Sequence, residues 1–280
     1  MNSEKEIINA SDHEKIEVRL TQSDEEIRKA QSIRYSVFYE EYGATASLEI
    51  LKEKRDFDGY DDFADHLIVI DKTIQDSTES IIGTYRLLRY EQAQKKGQFY
   101  TSDEFDITPL LPVKDGLLEL GRSCVLPPYR TRPVLQTLWR GIAHYLADNN
   151  IDLMFGCASL HGTDVNKLSE QLAYLHHYHL ADKDQCPVAV KNRYVDMNLH
   201  AKDDLDAKRV FSSLPPLIKG YLRLGATIGE GAIIDEEFNT IDVCIVLPTG
   251  AVTQKYVKHY ERVTNKTMPT FETAKSKESL

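Results

Sequence analysis

No pair of cysteines at the CxxC spacing occurs in this chain, although it carries four: Cys124, Cys157, Cys186 and Cys244. Zinc ribbons and dithiol redox centres need that spacing, so neither is expected. Three of the four lie in strand-like apolar runs, which points to reduced thiols in a core. No apolar run approaches the roughly 18 residues that a membrane span requires. The opening residues, MNSEKEIINASDHEKIE, have no apolar segment of the kind that directs secretion. A cytoplasmic protein is expected, with a peripheral encounter at a membrane surface left open. Basic residues are in deficit, 34 against 44 acidic, for a net charge of -10, and this argues against general nucleic-acid binding. The one histidine cluster, HHYH at 176–179, puts neighbouring rings at the end of a helix with no supporting carboxylate spacing. No metal site is expected there.

What is present is enough for one core: 280 residues, 41% of them hydrophobic. The segment 117–141, LLELGRSCVLPPYRTRPVLQTLWRG, organises the rest. Leu117, Leu118 and Leu120 give it the bulk of a buried strand, and Pro127-Pro128 end that strand because neither can donate to a ladder. Pro133 suits the first turn of a helix, where the missing N–H costs nothing. A strand, a turn and a helix N-terminus in that order suit an anionic group, and Arg130 and Arg132 flank it. Strict alternation puts Glu119, Gly121 and Ser123 on one face and Arg122 on the other. Glu119 and Arg122 share a cleft only if Gly121 marks a bulge, so a bulge is predicted, with splaying of the central strand from its neighbour.

Residues 1–15 read as a tail, 16–263 as one mixed α/β domain with a C-terminal elaboration, and 264–280 as a second tail. A strand at 16–20 precedes a helix through RYSVFYEEYG, on which Arg34, Phe38 and Glu41 share the edge of one face. Residues 44–65 read as an acidic loop, 66–71 and 81–90 as strands, and 91–116 as a polar excursion. After the central segment come a strand at 151–160, a helix at 163–178, a strand at 194–199 and helical stretches at both ends of 203–224. GATIGEG at 225–231 reads as a turn, 241–247 as a late strand and 251–263 as a last helix.

The pieces RYSVFYEEYG, DFDGYDDFADHLIV, GTYRLLR, FYTSDEFD, LELGRSCVLPPYR, LWRGIAHYL, LMFGCASLHGTD and LPPLIKGYLRLGA run in order through nearly the whole chain. In them the sequence resembles the acyl-carrier-protein-dependent acyltransferase branch of the GNAT superfamily, and most closely the L-ornithine N-alpha-acyltransferases. A more distant resemblance is to the acyl-homoserine-lactone synthases, carried by Arg34, Phe38, Asp58, Asp61, Arg86, Glu119 and Arg122. The lactone synthases are shorter and lack the LPPLIKGYLRLGA segment. Ordinary acetyl-CoA enzymes carry glycines in their phosphate loop; here YRTRPVLQ has none, which disfavours free coenzyme A as donor.

The resemblance implies a GNAT-like mixed central sheet flanked by helices, no bound cofactor, and a 3-hydroxyacyl-acyl carrier protein as donor. It implies transfer to the alpha-amino group of L-ornithine by direct aminolysis, giving lyso-ornithine lipid. Glycine, lysine or glutamine as acceptor, lactone synthesis, and a non-enzymatic regulator that binds acyl carrier protein or lipid remain the alternatives. Glu119 is either the base or amine anchor, or the partner of Arg34, Arg86 or Arg122 in an ion pair. With Arg122 and Ser123 it forms the candidate catalytic set. Arg34 and Arg86 either anchor the acceptor carboxylate or lock the first helix to the sheet. Asp58 and Asp61, with Phe38, either receive the acceptor's side-chain amine or belong to a solvated loop. Cys124, Val125, Tyr129, Arg130 and Arg132 are the candidates for pantetheine and acyl carrier protein, with backbone amides at 123–125 polarising the thioester. Cys157 lacks an obvious base and is not expected to be a nucleophile.

Overall fold

The computed structural model describes residues 15–250. Both tails expected at 1–15 and 264–280, residue 15 apart, and the last helix expected at 251–263 lie outside those residues. In chain order the elements are β1 (Ile16–Leu20), α1 (Asp24–Tyr35), α2 (Leu48–Glu53), β2 (Asp65–Asp71), β3 (Ile81–Arg89), α3 (Tyr90–Lys96), β4 (Phe105–Asp106) and β5 (Leu117–Val125). There follow α4 (Arg132–Asp148), β6 (Leu153–His161), α5 (Ser169–His179), β7 (Val188–Ala189), β8 (Tyr194–Val195), α6 (Ala207–Ser213), α7 (Pro216–Arg223), β9 (Thr227–Ile228), β10 (Ala232–Asp235) and β11 (Thr240–Pro248).

The main sheet runs β1-β2-β3-β5-β6-β11-β10-β8, with β9 on β11, and a separate pair joins β4 to β7. Among the described strands β5 and β6 pair in parallel, which the long connection through α4 permits. Period-two alternation divides the apolar residues between two faces. Leu67 and Val69 of β2 join one core with Val134, Leu138 and Ile142 of α4. Ile68 and Ile70, between them in sequence, pack instead with Ala30, Ile33 and Val37 on α1 and its continuation. Gly141 lets α4 close on β1, since a Cβ there would stand 2.6 Å from Val18 Cγ2.

Several elements differ from the expected ones for local reasons. After Tyr35 the first helix continues as a π-helical turn, Ser36–Glu41, so the 3.6-residue spacing that put Arg34, Phe38 and Glu41 on one edge is lost. Arg34 is fully buried, whereas Glu41 reaches the surface. The 44–65 loop contains α2, capped by Ser47, whose hydroxyl accepts from the Ile50 amide at 3.2 Å. Helix α5 starts at Ser169 rather than 163 because the Asp164 carboxylate holds the amides of Asn166 and Lys167 in a turn. The strand expected at 194–199 stops at Val195, where Asp196 accepts from the Asn198 amide at 2.8 Å. The 81–90 strand ends one residue early, with Tyr90 opening α3, and 225–231 carries the short strand β9 within its turns. Strand β10 was not expected at all.

Candidate active site

The bulge is present, and it lies one residue beyond Gly121. Gly121 pairs with Arg86 and Cys124 with Thr84, so β5 carries one more residue than β3 over that interval. Arg122 takes up the extra residue with φ of 51°, an uncommon conformation for a side chain of that size. The parallel pairing with β6 stops at Glu119↔Phe155, and beyond it the two strands part. Gly156 stands at the parting with φ of 155°, where a Cβ would come within 2.2 Å of the Leu120 carbonyl oxygen. A small pocket opens there, lined by Leu120, Gly156, Cys157 and Tyr221 among others.

The polar residues read from the sequence meet on the face of the sheet that carries α1. Arg34 Nη1 and Nη2 donate to Asp61 at 3.0 and 2.6 Å, and its Nε lies 2.8 Å from Asp56 Oδ2. Arg86 Nη1 bridges Asp58 at 2.6 Å and Asp61 at 3.0 Å. Arg122 Nε donates to Asp56 at 3.2 Å and Nη2 to Asp58 at 3.3 Å. Three arginines and three aspartates therefore close on themselves with no residual charge. Burial works against an ionised Asp61, but Arg34 and Arg86 outweigh it and hold the carboxyl well below the usual carboxylate range. Asp58 is held down in the same way by Arg86 and Arg122. Phe38 packs edge-on against Phe238, with ring centroids 5.9 Å apart, and the Phe238 ring lies 4.8 Å from the Arg122 guanidinium carbon. Tyr100 lies under the same guanidinium at 4.8 Å.

Among the described residues Glu119 forms no ion pair with Arg34, Arg86 or Arg122; backbone amides hold it instead. Its oxygens accept from the backbone amides of Tyr100 at 3.0 Å and Thr101 at 2.6 Å, fixing the turn that carries both residues. Burial pushes its carboxyl up, and those amides only partly offset the effect. The Ser123 hydroxyl meets Tyr85, which shares a very short contact with the Tyr221 hydroxyl beneath the parting of the strands. Cys124 and Val125 are buried at the end of β5, and burial pushes the Cys124 thiol up to about 12. Arg130 spans the loop after β5, donating from Nε to the Val125 carbonyl at 2.9 Å and from both Nη atoms to Glu41 at 2.6 and 2.5 Å. Arg132 is exposed as the first residue of α4, where Thr131 makes no side-chain cap, and Tyr129 lies nearby against Asp71.

Three acidic residues that the sequence reading passed over lie beside this network. Carboxylate oxygens of Glu104, Asp235 and Asp242 lie within 4.8 Å of one another, all buried. Burial and the Asp242 charge push Glu104 up to about 7; burial and the Asp235 charge push Asp242 to about 6, against hydrogen bonds from Ser159 and Thr240. Among the described residues Arg193 pairs with Glu104, with Nη2 3.6 Å from Oε1. The Cys157 thiol donates to Glu104 Oε2 at 3.1 Å, and burial with that carboxylate raises it well above an ordinary thiol, which disfavours the thiolate. A signal for Asp242 was available: it breaks the apolar run IDVCIVL, as Glu119 breaks its own. The histidines at 176–179 do not converge: His177 bonds the His200 carbonyl at 2.7 Å and His179 the Tyr174 hydroxyl at 3.3 Å.

Residues 33–140 match the acetyltransferase (GNAT) domain family. A protein of Agrobacterium fabrum named L-ornithine N(alpha)-acyltransferase is 44% identical over 88% of this chain and 85% of its own length. One of the same name from Rhizobium meliloti is 43% identical over 88% of this chain and 84% of its own. Among solved structures, a CoA-dependent acyl-homoserine-lactone synthase aligns over 91% of both chains at 12% identity, with a TM-score of 0.49.

Proposed function

We propose, for a chain that belongs to the L-ornithine N(alpha)-acyltransferase family, that it moves a 3-hydroxyacyl group from acyl carrier protein to the α-amino group of L-ornithine. That the chain is a GNAT-fold acyltransferase follows from the relatives and the domain match; donor, acceptor and the lyso-ornithine lipid product belong to the proposal. The observation that carries it is the opening between β5 and β6 after Glu119↔Phe155. A pantetheine arm enters such an opening as a strand would, meeting the amides that the parting leaves without a ladder partner.

Acyl carrier protein as donor is supported by the absence of glycine from 129–136, since phosphopantetheine brings one phosphodiester and asks for fewer amides than coenzyme A. The uncapped first turn of α4 and the exposed Arg132 suit that single phosphate. The α-ammonium must lose a proton before it attacks, and Glu119, raised by burial, takes it through water. The nitrogen lone pair then adds to the thioester carbonyl, held by amides at 123–125, and the carbon–sulfur bond breaks. Of the two protons the nitrogen gives up, one ends on the departing thiolate and one in solvent. Ser123, joined to Tyr85 and Tyr221, supports the delivery to sulfur. A long-chain product implies a peripheral meeting with a membrane; no helix among the described residues is long and apolar enough to cross one.

Thiol release from 3-hydroxypalmitoyl-acyl carrier protein and from 3-hydroxypalmitoyl-CoA, each against a panel of amino acids, tests this. Release with ornithine and the carrier-protein donor is the expected result. Release with another amine alone moves the acceptor, faster release from the CoA thioester moves the donor, and no release with any pair sinks the reading.

A further inference from the structure

Glu104, Asp235 and Asp242 are a poor arrangement for a protein at rest. Asp242 is 6% exposed, and its Oδ1 is buried with no hydrogen-bond partner among the described residues. Asp235 Oδ1 is committed to the amides of Glu237 and Phe238 at 2.9 and 3.0 Å, and Glu104 Oε2 to the Cys157 thiol at 3.1 Å. With Arg193 paired to Glu104 at 3.6 Å among the described residues, ionising all three acids leaves negative charge without a counterion in a buried place. Ser159 and Thr240 act on the Asp242 carboxylate, yet its Oδ1 keeps no hydrogen-bond partner beside two other acids, as a site for a bound cation would.

The cluster's position narrows the cation. Cys157, which bonds Glu104, follows Gly156, where β5 and β6 part. Arg122 lies on the other side, near enough for its charge to act on Asp242. The cluster therefore sits one hydrogen bond from Cys157, which lines the pocket where the strands part. A divalent ion would ask for six or more oxygens, and the other atoms that close on Glu104 here are a thiol and a guanidinium. An alkylammonium asks for about three acceptors, the number the cluster offers.

We propose that Glu104, Asp235 and Asp242 form the subsite for the side-chain ammonium of the amino-acid acceptor, the group that distinguishes ornithine from a neutral amino acid. This rests on the ornithine reading above. The choice between the acceptor's two amines follows from their fates. Three carboxylates stabilise the protonated form and keep a nitrogen from attacking, so they suit the amine that stays an ammonium and not the one that becomes a nucleophile. Asp58 and Asp61, for which the sequence left open either that amine or a solvated loop, already face arginines.

Calorimetric titration of the full-length enzyme with ornithine and with norvaline, which has the same carbon skeleton without the side-chain amine, tests the subsite directly. The wild type is expected to prefer ornithine by roughly a hundredfold or more. Asp242→Asn and Glu104→Gln, which keep the shape and remove charge, are expected to weaken ornithine binding by roughly 30-fold or more and to leave norvaline unchanged. Thermal unfolding of both variants checks that they fold, and KM for ornithine in the thiol-release assay should rise in parallel. Variants that bind and turn over ornithine as the wild type does overturn the proposal. So does an equal loss for ornithine and norvaline, which would assign the cluster to the α-amine or to folding. Saturable binding of Mg2+ or Ca2+ that the variants abolish, with ornithine unaffected, would make it a metal site instead. An enzyme that binds ornithine through the cluster yet releases no thiol keeps the subsite and loses the reaction; turnover that ignores the cluster does the reverse.

Discussion

Two ionic clusters share one face of the sheet and are built on opposite rules. In the first, Arg34, Arg86 and Arg122 match Asp56, Asp58 and Asp61 and the charges cancel. In the second, Glu104, Asp235 and Asp242 face one another with one arginine at 3.6 Å from Glu104. The first has its counterions built in and needs nothing from outside, which is the mark of a framework. The second is left unfinished by the chain, which is the mark of a place for a ligand. The bulge at Arg122 joins them, since its guanidinium pairs with Asp56 and Asp58 and still acts on Asp242.

Removing one member of the closed set should have the largest effect. Arg34→Met strands Asp61 and Asp56 in a buried place, and a loss of about 3–5 kcal/mol is expected in denaturant unfolding. Asp61→Asn in the same chain should restore part of it, giving a large coupling energy in the double-mutant cycle. A loss below about 1 kcal/mol for Arg34→Met would break the comparison by showing that the network does not hold the fold.

Gly156 lies at the seam between the clusters, so a methyl group there tests whether their spacing matters. Gly156→Ala puts a Cβ 2.2 Å from the Leu120 carbonyl oxygen, where backbone must move. A destabilisation of about 2 kcal/mol or more is expected, with a higher KM for the acyl donor. Unchanged donor KM would separate the parting of the strands from donor binding.

The long strands were legible as dense apolar runs, and Pro127-Pro128 marked the end of the central one. The bulge was legible because a glutamate and an arginine three apart on one strand must otherwise face opposite ways. Arg34, Arg86, Asp58 and Asp61 could be picked out as charges on elements with apolar faces, but not who would pair with whom. That depends on the 44–65 segment folding back beneath α1, which no period announces. Glu119 was read as a base or an ion pair, and the amides of Tyr100 and Thr101 came from a stretch with no regular signal. The acidic cluster draws Glu104 from a turn and Asp235 and Asp242 from two strands of a hairpin. Only the fold brings residues 104 and 242 together.

The uncompensated cluster should also give the protein an unusual pH dependence. Glu104 at about 7 and Asp242 at about 6 stand above their ordinary values of 4.5 and 3.8. Between the unfolded and folded values the folded protein keeps protons that the unfolded chain has released, so stability falls as pH rises through that window. A loss of several kcal/mol between about pH 4 and pH 7 is expected. The closed cluster acts the other way: Asp61, held low, contributes stability above its ordinary value that is lost only as pH falls far below it. Asp242→Asn should flatten the upper window, and so should saturating ornithine, because a bound ammonium favours the ionised carboxylates. Unfolding curves at pH 5 and pH 8 with and without ornithine measure this, and stability that rises with pH in the ligand-free protein would refute it.

A third ion pair separates the effect of compensation from that of burial. Arg130 and Glu41 are paired as closely as any members of the closed cluster, at 2.6 and 2.5 Å, but their side chains are 34% and 31% exposed. Pairing in water is worth little, so Arg130→Ala should cost under about 1 kcal/mol even though it also frees the Val125 carbonyl. If the loop after β5 meets the donor's phosphate, the same substitution should raise KM for acyl carrier protein and weaken its dependence on salt, while KM for ornithine stays where it was. A stability loss as large as that of Arg34→Met would mean that pairing, not burial, sets the worth of these contacts, and the contrast between the two buried clusters would then rest on the wrong variable.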